Sequence, residues 1–168
     1  MVRFVATLIS GWVLLSTSCA AQKLPTRMQR YVSPDKAITA VVTSRKAPET
    51  TDESRIGLVS SSGNVLAKRD YFSGDGEHGF GVVKAQWTPD SQFFIYSLES
   101  SGGHLAWHSP VNFFSRKGQR ILSLDSRLKD SVTNPQFAIE GPDKGTVELQ
   151  FSRRTVTVAL SSMRVEQK

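Results

Sequence analysis

Gln86-Trp87-Thr88-Pro89-Asp90-Ser91-Gln92-Phe93-Phe94-Ile95-Tyr96 decides how this chain is read. Pro89 fixes φ near the value that a type I turn needs, and Asp90 offers a carboxylate to backbone N–H groups just beyond it. Phe93 to Leu98 is then apolar on both faces, which predicts a strand inside a sheet. The same order of features stands 55 residues earlier. With that shift, Pro34-Asp35 falls on Pro89-Asp90, and Ile38-Thr39-Ala40-Val41 falls on Phe93-Phe94-Ile95-Tyr96. Without a gap, Ile56-Gly57-Leu58-Val59-Ser60 then falls on Val111-Asn112-Phe113-Phe114-Ser115, and Gly63 on Gly118. A shorter third copy starts at Phe137 and carries Pro142-Asp143-Lys144 before Val147-Glu148-Leu149.

Register kept over so many positions marks an internal repeat. Val147, Leu149 and Phe151 alternate with polar neighbours, and Val156, Val158 and Leu160 repeat the pattern, so each unit reads as successive β-strands with one buried face. Helix signals are confined to Asp125–Asp130, a single turn with Asp125 or Ser126 as its N-cap. The expected fold is therefore all-β: an antiparallel meander of about ten to eleven strands in two to three small sheets.

The motif Trp87-Thr88-Pro89-Asp90 followed by an apolar strand resembles the TolB-type β-propeller repeat, also seen in propellers of the dipeptidyl-peptidase class. Tyr31-Val32-Ser33-Pro34-Asp35-Lys36 and Gly141-Pro142-Asp143-Lys144 resemble it less closely. That family usually has Gly after the Asp, where this chain has Lys36, Ser91 and Lys144. The resemblance implies propeller-blade-like sheets, with Pro34, Asp35, Trp87, Pro89, Asp90, Pro142 and Asp143 as structural turn residues and no catalytic role. Closed propellers hold roughly four to eight blades, so two full units and a partial one predict an open stack or sandwich and a monomer, with association of chains to complete a ring as the alternative.

Arg3, the apolar stretch Phe4 to Leu15 and the small residues Ser16 to Ala21 predict a secretory signal peptide over residues 1–20. The stretch is shorter than the roughly 17–25 apolar residues of a membrane-spanning helix. Leu14-Leu15-Ser16-Thr17-Ser18-Cys19 resembles a bacterial lipobox, whose cysteine is lipidated, although Ser16 stands where that family usually has Leu. Ordinary cleavage beside Ser18 and Ala20 remains the other route. Cys19 is the single cysteine of the 168 residues, so no internal disulfide forms. Residues 21–28 read as a short linker, and 29–168 as one domain of units 29–73, 80–125 and 136–162. Both routes predict export to a bacterial periplasm or cell envelope, with membrane attachment only through the lipid.

The formal charge of +6 is spread over pairs such as Lys68-Arg69, Arg116-Lys117 and Arg153-Arg154. In an exported chain, scattered pairs do not predict nucleic-acid binding. In a meander, loops after odd strands share one edge and loops after even strands the other. The odd loops are short (33–36, 61–64, 89–92, 116–119, 142–145), and most even loops are long (45–53, 74–79, 101–109, 126–135). Binding residues favour longer loops on a rigid scaffold. All three histidines fall there, His78 beside Asp75 and Glu77, and His104 and His108 around Trp107. These residues are the candidate ligand site. The His/carboxylate set has the donors of a zinc-type metal site, and Trp107 suits a glycan or peptide platform or a loop anchor.

No G-x-S-x-G elbow, phosphate-cradling glycine loop or H-E-x-x-H is present. The leading expectation is a non-catalytic envelope module, without a cofactor, that binds or scaffolds an envelope protein, glycan or peptide. A metal-assisted hydrolase using the His/carboxylate loops and a purely structural envelope lipoprotein are the alternatives. Export has a direct check. The precursor is expected to be cut near Cys19–Ala21, with radiolabelled palmitate incorporated in the wild type and lost in Cys19→Ser if the lipobox operates. Uncut protein retained in the cytosol would overturn export.

Overall fold

A computed structural model describes residues 26–46, 52–102, 107–140, 146–150 and 155–160. Eleven strands lie there: β1 (Thr26–Val32), β2 (Ile38–Arg45), β3 (Glu53–Ser60), β4 (Val65–Asp70), β5 (Phe80–Trp87), β6 (Phe93–Ser100), β7 (Val111–Ser115), β8 (Arg120–Ser123), β9 (Phe137–Glu140), β10 (Thr146–Gln150) and β11 (Thr155–Ala159). One short helix, α1 (Leu124–Leu128), follows β8. The strands form three antiparallel meanders in the orders β1-β2-β3-β4, β5-β6-β7-β8 and β9-β10-β11, and none of these sheets closes on itself. The fold is all-β, with three small blade-like sheets. Cys19, His104, Pro142 and Asp143 lie outside the described residues.

The 55-residue offset holds in the hydrogen-bonded register. Val32 pairs with Thr39 in the first sheet and Trp87 with Phe94 in the second. Ile38 pairs with Ser60, and Phe93 with Ser115. The turns match atom for atom. Asp35 Oδ1 accepts from the Ser33 hydroxyl at 2.7 Å and the Ala37 N–H at 3.1 Å, while Asp90 Oδ1 accepts from Thr88 at 2.6 Å and Gln92 at 3.0 Å. Lys36 and Ser91, which take the place of Gly after the Asp, both stand at φ 61°, the left-handed conformation that glycine adopts most easily. Asp35 and Asp90 are not at positive φ, so the turns are type I with a left-handed residue following. The offset slips by one residue at the β-bulge between Val82 and Lys84 in β5, and at the tip of the next hairpin, where the left-handed residue is Gly63 in one sheet and Gln119 in the other.

Two buried clusters make the molecule three layers deep. Phe94, Tyr96, Leu98 and Phe114 of the second sheet meet Ile38, Ala40, Val42, Ile56 and Leu58 of the first. The opposite face of the second sheet, with Ile95, Val111 and Phe113, meets Val147, Leu149 and Val158 of the third. This explains why β6 and β7 are apolar on both faces: each lies between two cores. Trp87 joins the first two sheets. Its ring packs 5.3 Å from Phe94 and 6.3 Å from Phe114, and its Nε1 donates to the Tyr31 carbonyl at 2.8 Å. Lys84 makes the corresponding link onward, donating to the Phe137 carbonyl at 2.6 Å.

Two local expectations are corrected. β1 begins at Thr26, inside the stretch 21–28 read as a linker, because Thr26–Met28 pair with Thr43–Arg45. Exposed polar residues there gave no strand alternation. The N-cap of α1 is Ser123, whose hydroxyl accepts from the Ser126 N–H, rather than Asp125 or Ser126. Asp125 is drawn into longer-range bonds instead.

Trp87→Ala is expected to cost about 3–5 kcal/mol in chemical denaturation, the range for emptying a buried aromatic site. Lys36→Gly should gain up to about 1 kcal/mol by relieving the left-handed residue. Ser91→Gly should gain less, since the Ser91 hydroxyl accepts from the Asp35 N–H at 3.1 Å. A Trp87→Ala protein as stable as its parent would refute the inter-sheet role.

Candidate functional site

The long-loop edge is organised by two carboxylates. Glu53, at the start of β3, is fully buried. Its Oε2 accepts from Arg45 Nη2 at 2.6 Å and from the Ser73 N–H at 2.9 Å. Its Oε1 accepts from the Ser73 hydroxyl, the Gly79 N–H at 2.9 Å and the Ser101 hydroxyl at 3.1 Å. One side chain thus ties the end of β2, the loop between β4 and β5, and the loop after β6. Gly79 is required at this point, since a Cβ there would overlap the Tyr71 carbonyl oxygen and the Glu53 carboxylate. Burial alone would raise the Glu53 pKa, but the bonds from Ser73, Arg45 and Ser101 outweigh it and hold the carboxyl below its ordinary value.

Asp125, the second residue of α1, fastens the other half of the edge. Its Oδ2 accepts from the Val111 N–H at 3.0 Å, and its Oδ1 from the Val132 N–H at 2.9 Å. His108 Nε2 lies 3.1 Å from the same Oδ1. The His108 ring in turn carries Trp107, stacked at 5.6 Å between centroids and inclined by 24°. Trp107 is 61 % exposed. A large aromatic ring fixed on one face and open on the other is a ready contact surface.

His78 belongs to a separate, exposed turn. Its Nδ1 lies 2.5 Å from Asp75 Oδ2, while Asp75 Oδ1 accepts from the Glu77 N–H at 3.0 Å and the His78 N–H at 3.3 Å. Bonds from the Glu77 N–H, Ser73 and His78 hold the Asp75 carboxyl well below the carboxylate range. Asp75 therefore shapes its own loop, and Glu77 is exposed. The structure pairs each described histidine with its own aspartate, His78 with Asp75 and His108 with Asp125. Among the described residues no three or more of His, Cys, Asp and Glu gather as a metal site.

Sequence reasoning missed Glu53 and the clasping role of Asp125. One signal was present: pairing Ile38 with Ser60 across the β2–β3 hairpin sets Arg45 opposite Glu53. Comparison with protein families, with curated proteins and with solved structures finds no match to this chain.

Glu53→Ala is expected to destabilise the protein by about 1–3 kcal/mol, since it leaves buried donors at Gly79 and Ser101 without their acceptor. The pH dependence has a definite sign. A carboxyl with a depressed folded-state pKa stabilises above its unfolded value, about 4.3 for Glu, and the contribution is lost as pH falls through the folded value. Melting temperature measured against pH should therefore fall below about pH 4.3, with a shallower fall in Glu53→Gln. Equal acid slopes in the two proteins would refute the assignment.

Proposed function

We propose that the chain is an exported, non-catalytic module of the bacterial cell envelope that binds a glycan or an extended peptide through the long-loop edge around Trp107. Cys19 would anchor it by lipid or lie beside the cleavage point. The blade-like sheets would be TolB-type repeats used as a rigid frame, in keeping with the Trp87-Thr88-Pro89-Asp90 motif and its counterpart at Ser33-Pro34-Asp35.

The observation that carries the reading is Trp107, which is 61 % exposed yet held by stacking on a histidine that Asp125 fixes. Leaving an indole in water forgoes the stabilisation of burying it. Holding it in place lowers the ordering cost of a later contact. Pyranose rings and apolar peptide side chains both present a flat face that an indole can cover.

The test is binding to glycan and peptide arrays, followed by titration of any hit. Trp107→Ala should weaken binding about tenfold or more, roughly 1.4 kcal/mol, with an unchanged melting temperature. Lys117→Ala with Gln119→Ala, on the short-turn edge, should leave binding intact. If Trp107→Ala binds as the parent does, the site is elsewhere. Substrate turnover that a chelator abolishes would favour the metal-assisted hydrolase instead.

A further inference from the structure

Among the described residues, none packs over one broad face of the first sheet. Register places Met28, Arg30 and Val32 of β1 on the same face as Thr39, Val41 and Thr43 of β2 and Gly57 and Val59 of β3. Val65 and Lys68 of β4 lie beside Val59 and Gly57 on that face. Met28, Val32 and Val65 are 57 %, 54 % and 67 % exposed, three of the five large apolar side chains exposed among the described residues. Val41, Val59 and Val65 line a shallow groove there, with Arg55 and Lys68 in its walls.

The repeat says what kind of surface this is. Shifted by 55 residues, Thr39, Val41, Thr43 and Val59 become Phe94, Tyr96, Leu98 and Phe114. Those four form the face of the second sheet that is buried against the first. The face open in the first sheet is therefore the one by which this unit receives a preceding sheet.

Charge selects the occupant. By register the open face of the first sheet carries Arg30, Arg55 and Lys68 against Asp70, while Arg27 and Arg69 lie on the face toward the core. The strands of the third sheet carry Glu140 and Glu148 and no Lys or Arg. The outer face of that sheet is small and polar: Ala138 and Thr157 flank Glu148, opposite the buried Val147 and Leu149. Like charges would oppose two first sheets meeting face to face, whereas a first sheet meeting a third sheet joins opposite signs.

We propose that two copies of this chain associate head to tail, the outer face of the first sheet of each packing on the outer face of the third sheet of the other. A two-fold axis makes the two joints identical and leaves neither face free, so association stops at the dimer. The two chains together supply six sheets, inside the range of about four to eight found in closed radial stacks.

Sedimentation equilibrium on the protein as cells process it should give twice the mass of one chain. Met28→Asp with Val65→Asp changes two exposed side chains of the first sheet and should yield monomers. Glu148→Lys with Thr157→Lys, on the third sheet, should do the same. Circular dichroism should match the parent in both. Mixing the two monomeric variants leaves one joint intact, and a weaker heterodimer should form. A monomeric parent overturns the proposal. So does a third-sheet variant that remains dimeric, since the exposed face would then meet its own copy. Parent protein that is monomeric and pellets with phosphatidylglycerol vesicles, in a way that Met28→Asp with Val65→Asp abolishes, would assign the face to anionic lipid instead.

Discussion

A carboxylate taken out of water must find donors for its oxygens or give up its charge. Glu53 finds five bonds on four residues, Arg45, Ser73, Gly79 and Ser101. Arg45 supplies the opposite charge and the other donors come from two different loops, so the long loops have little freedom in how they leave the sheets. Arg45 also donates to the Ser73 carbonyl at 2.8 Å, and its guanidinium lies 4.8 Å from the Phe72 ring centre. Arg55 approaches the same ring at 4.9 Å while pairing with Asp70. The half of the edge between the first and second sheets is thus built outward from one buried charge, while Asp125 fastens the half that carries Trp107.

The opposite edge is secured differently. Its turns are closed by their own residues, Ser33 with Asp35 and Thr88 with Asp90, and the two neighbouring sheets are joined there by Asp35 N–H to Ser91 and by the Arg116–Asp35 pair. Such local bonds are legible in sequence because they repeat with the motif. The blade pattern, the strand register and the double-sided character of Phe93 to Leu98 could all be read from Pro34-Asp35 and Pro89-Asp90 for that reason. Bonds that span 20 to 48 residues, as those from Glu53 to Ser73 and Ser101 do, leave no local pattern. Glu53 therefore carries no mark in the sequence beyond its place at the end of the loop 45–53. The start of β1 was hidden for the converse reason, since Thr26 to Met28 are exposed and bury nothing that alternation would reveal.

The candidate site was legible only in outline. Loop length and meander order placed His78, Trp107 and His108 on one edge, and the sheet order agrees with that connectivity. Composition did not disclose which groups touch. His78 has Asp75 and Glu77 within three residues, whereas His108 has no acid within eight, and only the fold selects Asp75 for the one and Asp125 for the other. Exposure of Trp107 was equally beyond the sequence, because a loop indole serves as anchor or platform according to the depth of the loop beneath it.

The repeat connects the two halves of the edge. The offset of 55 that carries Pro34 to Pro89 also carries Glu53 to His108 and Asp70 to Asp125. In the first unit these positions hold a buried acid satisfied by loop donors and an exposed acid paired with Arg55. In the second unit they hold a histidine and an aspartate bonded to each other. The same frame has thus been filled with two chemistries, one that locks loops together and one that supports an exposed ring. Glu53 can serve as a lock because Ser73, Gly79 and Ser101 surround it with donors. His108, with a ring nitrogen on Asp125 and its face against Trp107, is suited to holding that indole in place at the surface. Divergence of one repeated position from internal fastening to surface support is how a stack of near-identical sheets acquires a single distinctive edge.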